Sequence, residues 1–145
     1  MSINPIPPVT LSTASRLRID VTQVGHVTVI RPEAEWLDIA VAGAFRAALV
    51  DLVKAGHRNL VIDLEAVNFI DSSGLGALVS ALKMLKTGRD RRRAPRSSGS
   101  RRPVARGDVR LARLQEPVVS LLEIIRMNRV LPCHAIPAEA VESYA

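Results

Sequence analysis

Two adjoining stretches decide the fold: Leu60-Val61-Ile62-Asp63-Leu64 and, after a loop of about six residues (65–70), Asp71-Ser72-Ser73-Gly74-Leu75-Gly76. The first is an almost continuous apolar run of strand length, interrupted only by Asp63, which predicts a central strand buried on both faces. The second opens a helix. Leu75, Leu78, Val79, Leu82 and Leu85 recur at helical spacing, and Asp and Ser ahead of such a run are N-cap residues whose side-chain oxygens satisfy orphan backbone N–H groups. A buried strand feeding an amphipathic helix is the repeating unit of an α/β domain.

The same pattern extends outward on both sides. Upstream, Leu17, Ile19 and Val21 alternate, Gly25 and His26 make a turn, and Val27, Val29 and Ile30 resume the alternation. This predicts a β-hairpin whose second strand stops at Pro32. From Asp38, the residues Val41, Phe45, Ala48, Leu49, Leu52 and Val53 predict a first helix, with Gly56 as its C′ residue. Downstream, Val109–Leu114 reads as a short strand. Glu116 and Pro117 open a third helix bearing Val118, Leu121, Leu122 and Ile125 on one face, Leu131–Ile136 reads as a last strand, and residues 137–145 as a terminal helix. The order β-β-α-β-α-β-α-β-(α) specifies an α/β fold with a mixed sheet covered by helices.

Two segments fall outside this pattern. Residues 1–15 contain Pro5, Pro7 and Pro8 without sustained periodicity and read as a flexible leader, leaving 16–145 as a single domain. Residues 87–107 are rich in Arg, Ser, Gly and Pro and read as an inserted loop, because a structureless connection of that length is rare inside a compact domain. Charge follows the same division. Nine arginines between positions 89 and 110 face only Asp90 and Asp108, so the formal charge of +6 belongs to this window and the remaining chain is nearly neutral. The window holds no aromatic side chain on which bases could stack, so it does not specify sequence-selective nucleic-acid binding.

Composition excludes several classes of function. The 145 residues suffice for one domain with a core that needs no staple. Cys133 is the only cysteine, which rules out an internal disulfide or a multi-cysteine zinc site and fits a reducing cytosol. No apolar run approaches the length of a membrane span, and the N-terminus lacks the features of a signal peptide, so a cytoplasmic protein with no membrane association is expected. Gly74 and Gly76 are followed by Val79 where a dinucleotide fingerprint needs a third glycine. Lys54, Lys83 and Lys86 lie in no phosphate-binding loop, so any ATP must come with a partner. His26, His57 and His134 have no metal-ligand spacing. Neither a nucleophile elbow nor a close carboxylate pair is present, and the expectation is a binding protein without catalytic residues, metal or cofactor.

Chemistry concentrates at Asp71–Gly76. A serine hydroxyl at a helix N-terminus is accessible to a kinase, and a phosphate formed there meets free N–H donors and the positive end of the helix dipole. The box DSSGLG after an apolar strand, followed by an amphipathic helix and then the strand-helix unit VRLARLQEPVVSLLEIIRMNRVL, resembles the STAS domain of bacterial anti-sigma factor antagonists. The resemblance covers Leu17 to Ala145 apart from the arginine window. It implies a protein that sequesters an anti-sigma factor and so frees a sigma factor, controlled by a kinase and reset by a phosphatase. By position it makes Ser72 the phosphoacceptor, with Ser73 the alternative. It makes Asp38, Asp71, Ser73, Gly74, Leu75 and Gly76 the partner-binding loop. A family box of Gly-Glu-Leu-Asp type appears as Glu35-Trp36-Leu37-Asp38, in which Leu37 and Asp38 agree and Trp36 reads as a hydrophobic staple into the first helix. A monomer is the natural expectation for such a switch. The other function considered is a STAS subunit of a transport or lipid-trafficking complex without phospho-control, against which the intact DSSGLG box argues.

Overall fold

The computed structural model describes residues 3–5, 17–87 and 107–144. Its frame is a six-stranded mixed sheet built from β1 (Ile3–Pro5), β2 (Arg18–Val24), β3 (Val27–Glu33), β5 (Asn59–Asp63), β7 (Asp108–Ala112) and β8 (Cys133–His134), side by side in that order. β1, β2 and β3 are antiparallel, whereas β3, β5, β7 and β8 run parallel. A separate parallel pair joins β4 (Trp36–Leu37) to β6 (Phe69–Ile70). The helices are α1 (Ile39–Lys54), α2 (Ser72–Thr87), α3 (Glu116–Ile124) and α4 (Pro137–Glu142), with a 3-10 turn at Met127–Arg129.

Strand alternation sorts the sheet into two faces. Ile19, Ile30, Leu60, Ile62, Val109 and Leu111 point to one side, where Phe45 and Leu49 of α1, Leu78 and Leu85 of α2 and Val118 and Leu122 of α3 close over them as the main core. Val27, Val61 and Ala112 point to the other side and are covered by Ala140, Val141 and Tyr144 around α4. The central position of β5 explains why its run is apolar on both faces. The exception, Asp63, is paired with Arg113 through both carboxylate oxygens and lies 3.8 Å from Arg31.

Sequence-level details hold in some places and shift in others. The α1 terminus is as expected: Gly56 takes φ +105 and donates to Val53 O, while His57 N–H donates to Leu52 O, the paired bonds of a Schellman end. β3, by contrast, does not stop at Pro32. Its pairing with β5 ends at Ile30, so beyond that point the edge facing β5 has no ladder, and a proline there is tolerated opposite Ile19 of β2. β7 is shorter than expected because Arg113 adopts φ +50, a conformation that breaks the strand. Ile125 is the C-cap of α3 and exposed rather than part of its buried face. The last strand shrinks to two residues, Leu131 being buried ahead of it. Within the stretch read as a leader, Ile3–Pro5 adds an edge strand to β2. The other leader residues and residues 88–106 of the arginine-rich loop lie outside the described residues.

The two flanks of that loop meet at the sheet: Gly107 N–H donates to Leu85 O at 3.1 Å and Asp108 N–H to Arg58 O at 3.0 Å. A short connection can therefore join α2 to β7, and loop-closure entropy varies only slowly with length. Replacing residues 89–106 by a short Gly/Ser turn is expected to leave the melting temperature within a few degrees of the parent, measured by circular dichroism. A large fall would show that the arginine-rich segment is part of the fold.

Candidate functional site

The site is built where the two-stranded β4–β6 pair ends. Trp36 pairs with Phe69 and Leu37 with Ile70, in parallel, so the next residue of each segment, Asp38 and Asp71, starts a helix at the same level. Asp38 Oδ1 accepts from Ala40 N–H at 3.0 Å and caps α1. Asp71 does more. Its Oδ1 accepts from Ser73 N–H at 2.8 Å and Gly74 N–H at 3.0 Å, capping α2, while its Oδ2 accepts from Ile39 N–H at 3.2 Å, the first residue of α1. One carboxylate thus holds the N-termini of both helices together, where their dipoles favour negative charge.

Gly74 is required by this closeness. A Cβ added there would lie 2.2 Å from Leu37 O and 2.9 Å from Leu37 Cβ, so only glycine lets the first turn of α2 pack against β4. Leu75 is half-buried against the main core, and Gly76 faces α1, where a Cβ would lie 3.5 Å from Arg46 Nη2. The two serines differ. Ser72, the first residue of α2, is exposed, whereas Ser73 is half-buried and lines a groove against α1.

Three large apolar side chains stand exposed around this end: Ile39 at 80%, Trp36 at 54% and Phe69 at 43%. The Trp36 and Phe69 rings meet with centroids 5.3 Å apart, tilted by 48°. Trp36 is therefore not the staple expected from the sequence. Leu37, alternating with it along β4, takes the buried place before the cap. The aromatic pair, Ile39 and Arg46 were missed by the sequence reading, because only the β4–β6 pairing joins Trp36 to Phe69 and only the α1–α2 packing sets Ile39 and Arg46 against Ser73.

A second concavity, of about 450 Å³, lies on the other face of the sheet and is lined by Asp20, Thr22, Arg31, Glu33, Asp63 and Arg113 among others. Its charges are already matched. Arg113 pairs with Asp63 and, at 2.6 Å, with Glu65, and Arg31 donates to Glu33 at 2.6 Å and meets Glu65 at 3.3 Å. The hydrogen bond that Arg113 donates to Asp63 dominates in raising the Arg113 pKa above its ordinary value against the cost of burial. His57 Nδ1 is 2.7 Å from Thr28 Oγ1, a structural bond. Among the described residues no cluster of His, Cys, Asp and Glu could hold a metal ion, and no helix is long and apolar enough to cross a membrane.

Residues 18–90 match the STAS domain family. The chain belongs to that family. Solved structures extend the likeness over the remaining elements of the STAS domain. A candidate anti-sigma factor antagonist from Thermotoga maritima is 25% identical with a TM-score of 0.68, covering 86% of this chain and 92% of its own. An anti-sigma-factor antagonist (STAS) domain protein from Planctomyces limnophilus is also 25% identical, with a TM-score of 0.61 over 88% of this chain and 97% of its own. The Bacillus cell fate determinant SpoIIAA in its phosphorylated form, 17% identical, shares the fold at a TM-score of 0.58 over 88% of this chain and 99% of its own.

The Gly74 contact yields a direct test of this geometry. Gly74→Ala forces a backbone clash with Leu37 that no rotamer change relieves, so we expect a loss of about 3 kcal/mol in chemical denaturation and a fall of about 10 °C in melting temperature. Unchanged stability would mean that β4 and α2 are not in contact.

Proposed function

We propose that this STAS domain is an anti-sigma factor antagonist: a cytoplasmic, monomeric binding protein without catalytic activity that sequesters an anti-sigma factor through the Asp38 and Asp71–Gly76 surface. Phosphorylation of Ser72 by the anti-sigma kinase ends the interaction, and a phosphatase restores it. The observation that carries the reading is the exposed Ser72 hydroxyl beside the doubly engaged Asp71, within a surface that also exposes Trp36, Ile39 and Phe69. Exposed aromatic and aliphatic side chains clustered at one end of a small domain are the composition of a protein interface core. The likeness to antagonists of 25% identity supports the same partner class.

The switch follows from electrostatics. A phosphate at Ser72 adds about −1.5 to −2 charge beside Asp71. In the free protein the positive end of the α2 dipole favours it. In a complex the same charge must be desolvated against the Trp36–Phe69 rim and next to a second carboxylate, so it opposes docking. Ser73 is the weaker acceptor because it is half-buried in the α1–α2 groove.

Incubation with the cognate anti-sigma kinase and ATP should add one phosphate, located by mass spectrometry at Ser72. Ser72→Ala should abolish labelling and keep partner binding, while Ser72→Asp should weaken binding by about 1–3 kcal/mol in calorimetry. Full labelling of Ser72→Ala at Ser73, or undiminished affinity of Ser72→Asp, overturns this account of the switch.

A further inference from the structure

Between the first two turns of α1 and the first turn of α2 lies a groove of about 330 Å³ lined by Ile39, Ala42, Gly43, Arg46 and Ser73. The four α1 residues stand at i, i+3, i+4 and i+7 and form one stripe of that helix. The polar chemistry of the groove is one-sided. Among the described residues Arg46 makes no ion pair and the Ser73 hydroxyl has no hydrogen-bond partner, so two donors are unused. The nearby carboxylates are committed: both oxygens of Asp71 and Oδ1 of Asp38 accept backbone N–H groups. An occupant that fits must bring an anionic acceptor. Ile39 and Ala42 offer apolar surface for the methylenes that carry it.

Gly43 supplies an independent observation. It is exposed in the interior of α1, where glycine weakens a helix relative to alanine. A Cβ there would meet nothing within 4 Å, in contrast to Gly74. Internal packing therefore gives no reason for a glycine at 43, and its effect is to leave the groove open to a visitor.

We propose that this groove receives a glutamate or aspartate side chain of the anti-sigma factor, its carboxylate paired with Arg46 and hydrogen-bonded by the Ser73 hydroxyl. The inference rests on the docking surface proposed above and extends it onto α1, making Arg46 and Gly43 determinants of partner specificity. It also gives Ser73 a role distinct from phosphorylation: its hydroxyl is a donor to the partner. Arginine suits the position because its planar fork can engage both oxygens of a carboxylate.

The test is calorimetric titration of the purified cognate anti-sigma factor into wild-type protein and into Gly43→Ala, Gly43→Leu, Arg46→Lys and Arg46→Glu, each checked by thermal unfolding. Gly43→Ala is expected to melt at or above the wild-type temperature. Gly43→Leu, which fills the groove, and Arg46→Glu, which reverses its charge, should each lose about tenfold or more in affinity, with Arg46→Lys in between. The salt dependence of binding should be shallower for Arg46→Glu than for wild type. Wild-type affinity in folded Gly43→Leu and Arg46→Glu overturns the groove proposal while the Ser72 switch stands. Failure of the wild-type protein to bind overturns the functional reading and this inference with it. A concentration-dependent dimer that Gly43→Leu abolishes would assign the groove to a second copy of this chain and overturn the proposal as well.

Discussion

Both oxygens of the Asp71 carboxylate are committed to backbone N–H groups, and those groups belong to two different helices. An ordinary N-cap satisfies one helix end. Here a single side chain draws the N-termini of α1 and α2 together, so two positive dipole ends converge on one negative charge. The presentation of Ser72, the closeness of Gly74 to Leu37 and the opening of the α1–α2 groove all follow from that convergence. The converging dipoles also make this end of the domain favourable for negative charge.

The β4–β6 pair is the mechanical counterpart of this bond. Each strand has two residues, and the pair is too short to be stable on its own. It is held because Leu37 and Ile70 are buried in the main core and because Asn68 and Phe69 N–H groups both donate to Glu35 O. Alternation then forces Trp36 and Phe69 to the outside. The exposed aromatic rim is thus a consequence of burying their neighbours.

The two concavities differ in how far their charges are matched. On the face beside α4, Arg31 and Arg113 are enclosed by Glu33, Asp63 and Glu65. Those charges hold β3, β5 and the turn after β7 in place, and a ligand would have to displace bonds already made. In the α1–α2 groove the carboxylates are consumed by helix caps while Arg46 and the Ser73 hydroxyl are left over. Unmatched donors on an open groove are available to a partner. Matched ones contribute to the fold.

Much of the architecture was legible from local chemistry. The apolar run at 60–64, the helical spacing after Asp71 and after Asp38, and Gly56 at the end of α1 are short-range signals, and each governs structure within a few residues of itself. The capping role of Asp71 was legible for the same reason. What depended on tertiary structure were effects carried by residues distant in sequence. Pro32 continues a strand because β5 pairs only as far as Ile30, Arg113 ends β7 at a left-handed residue paired with Asp63, and Trp36 meets Phe69 across the β4–β6 pair. The difference in exposure between Ser72 and Ser73 belongs with these. In sequence they are adjacent hydroxyls with the same local signal, and only the packing of α1 against the first turn of α2 half-buries one and leaves the other exposed. Sequence determined where the helices begin, because a cap acts on the backbone beside it. Tertiary structure decided which side chains those helix ends expose, because exposure is set by what packs against them.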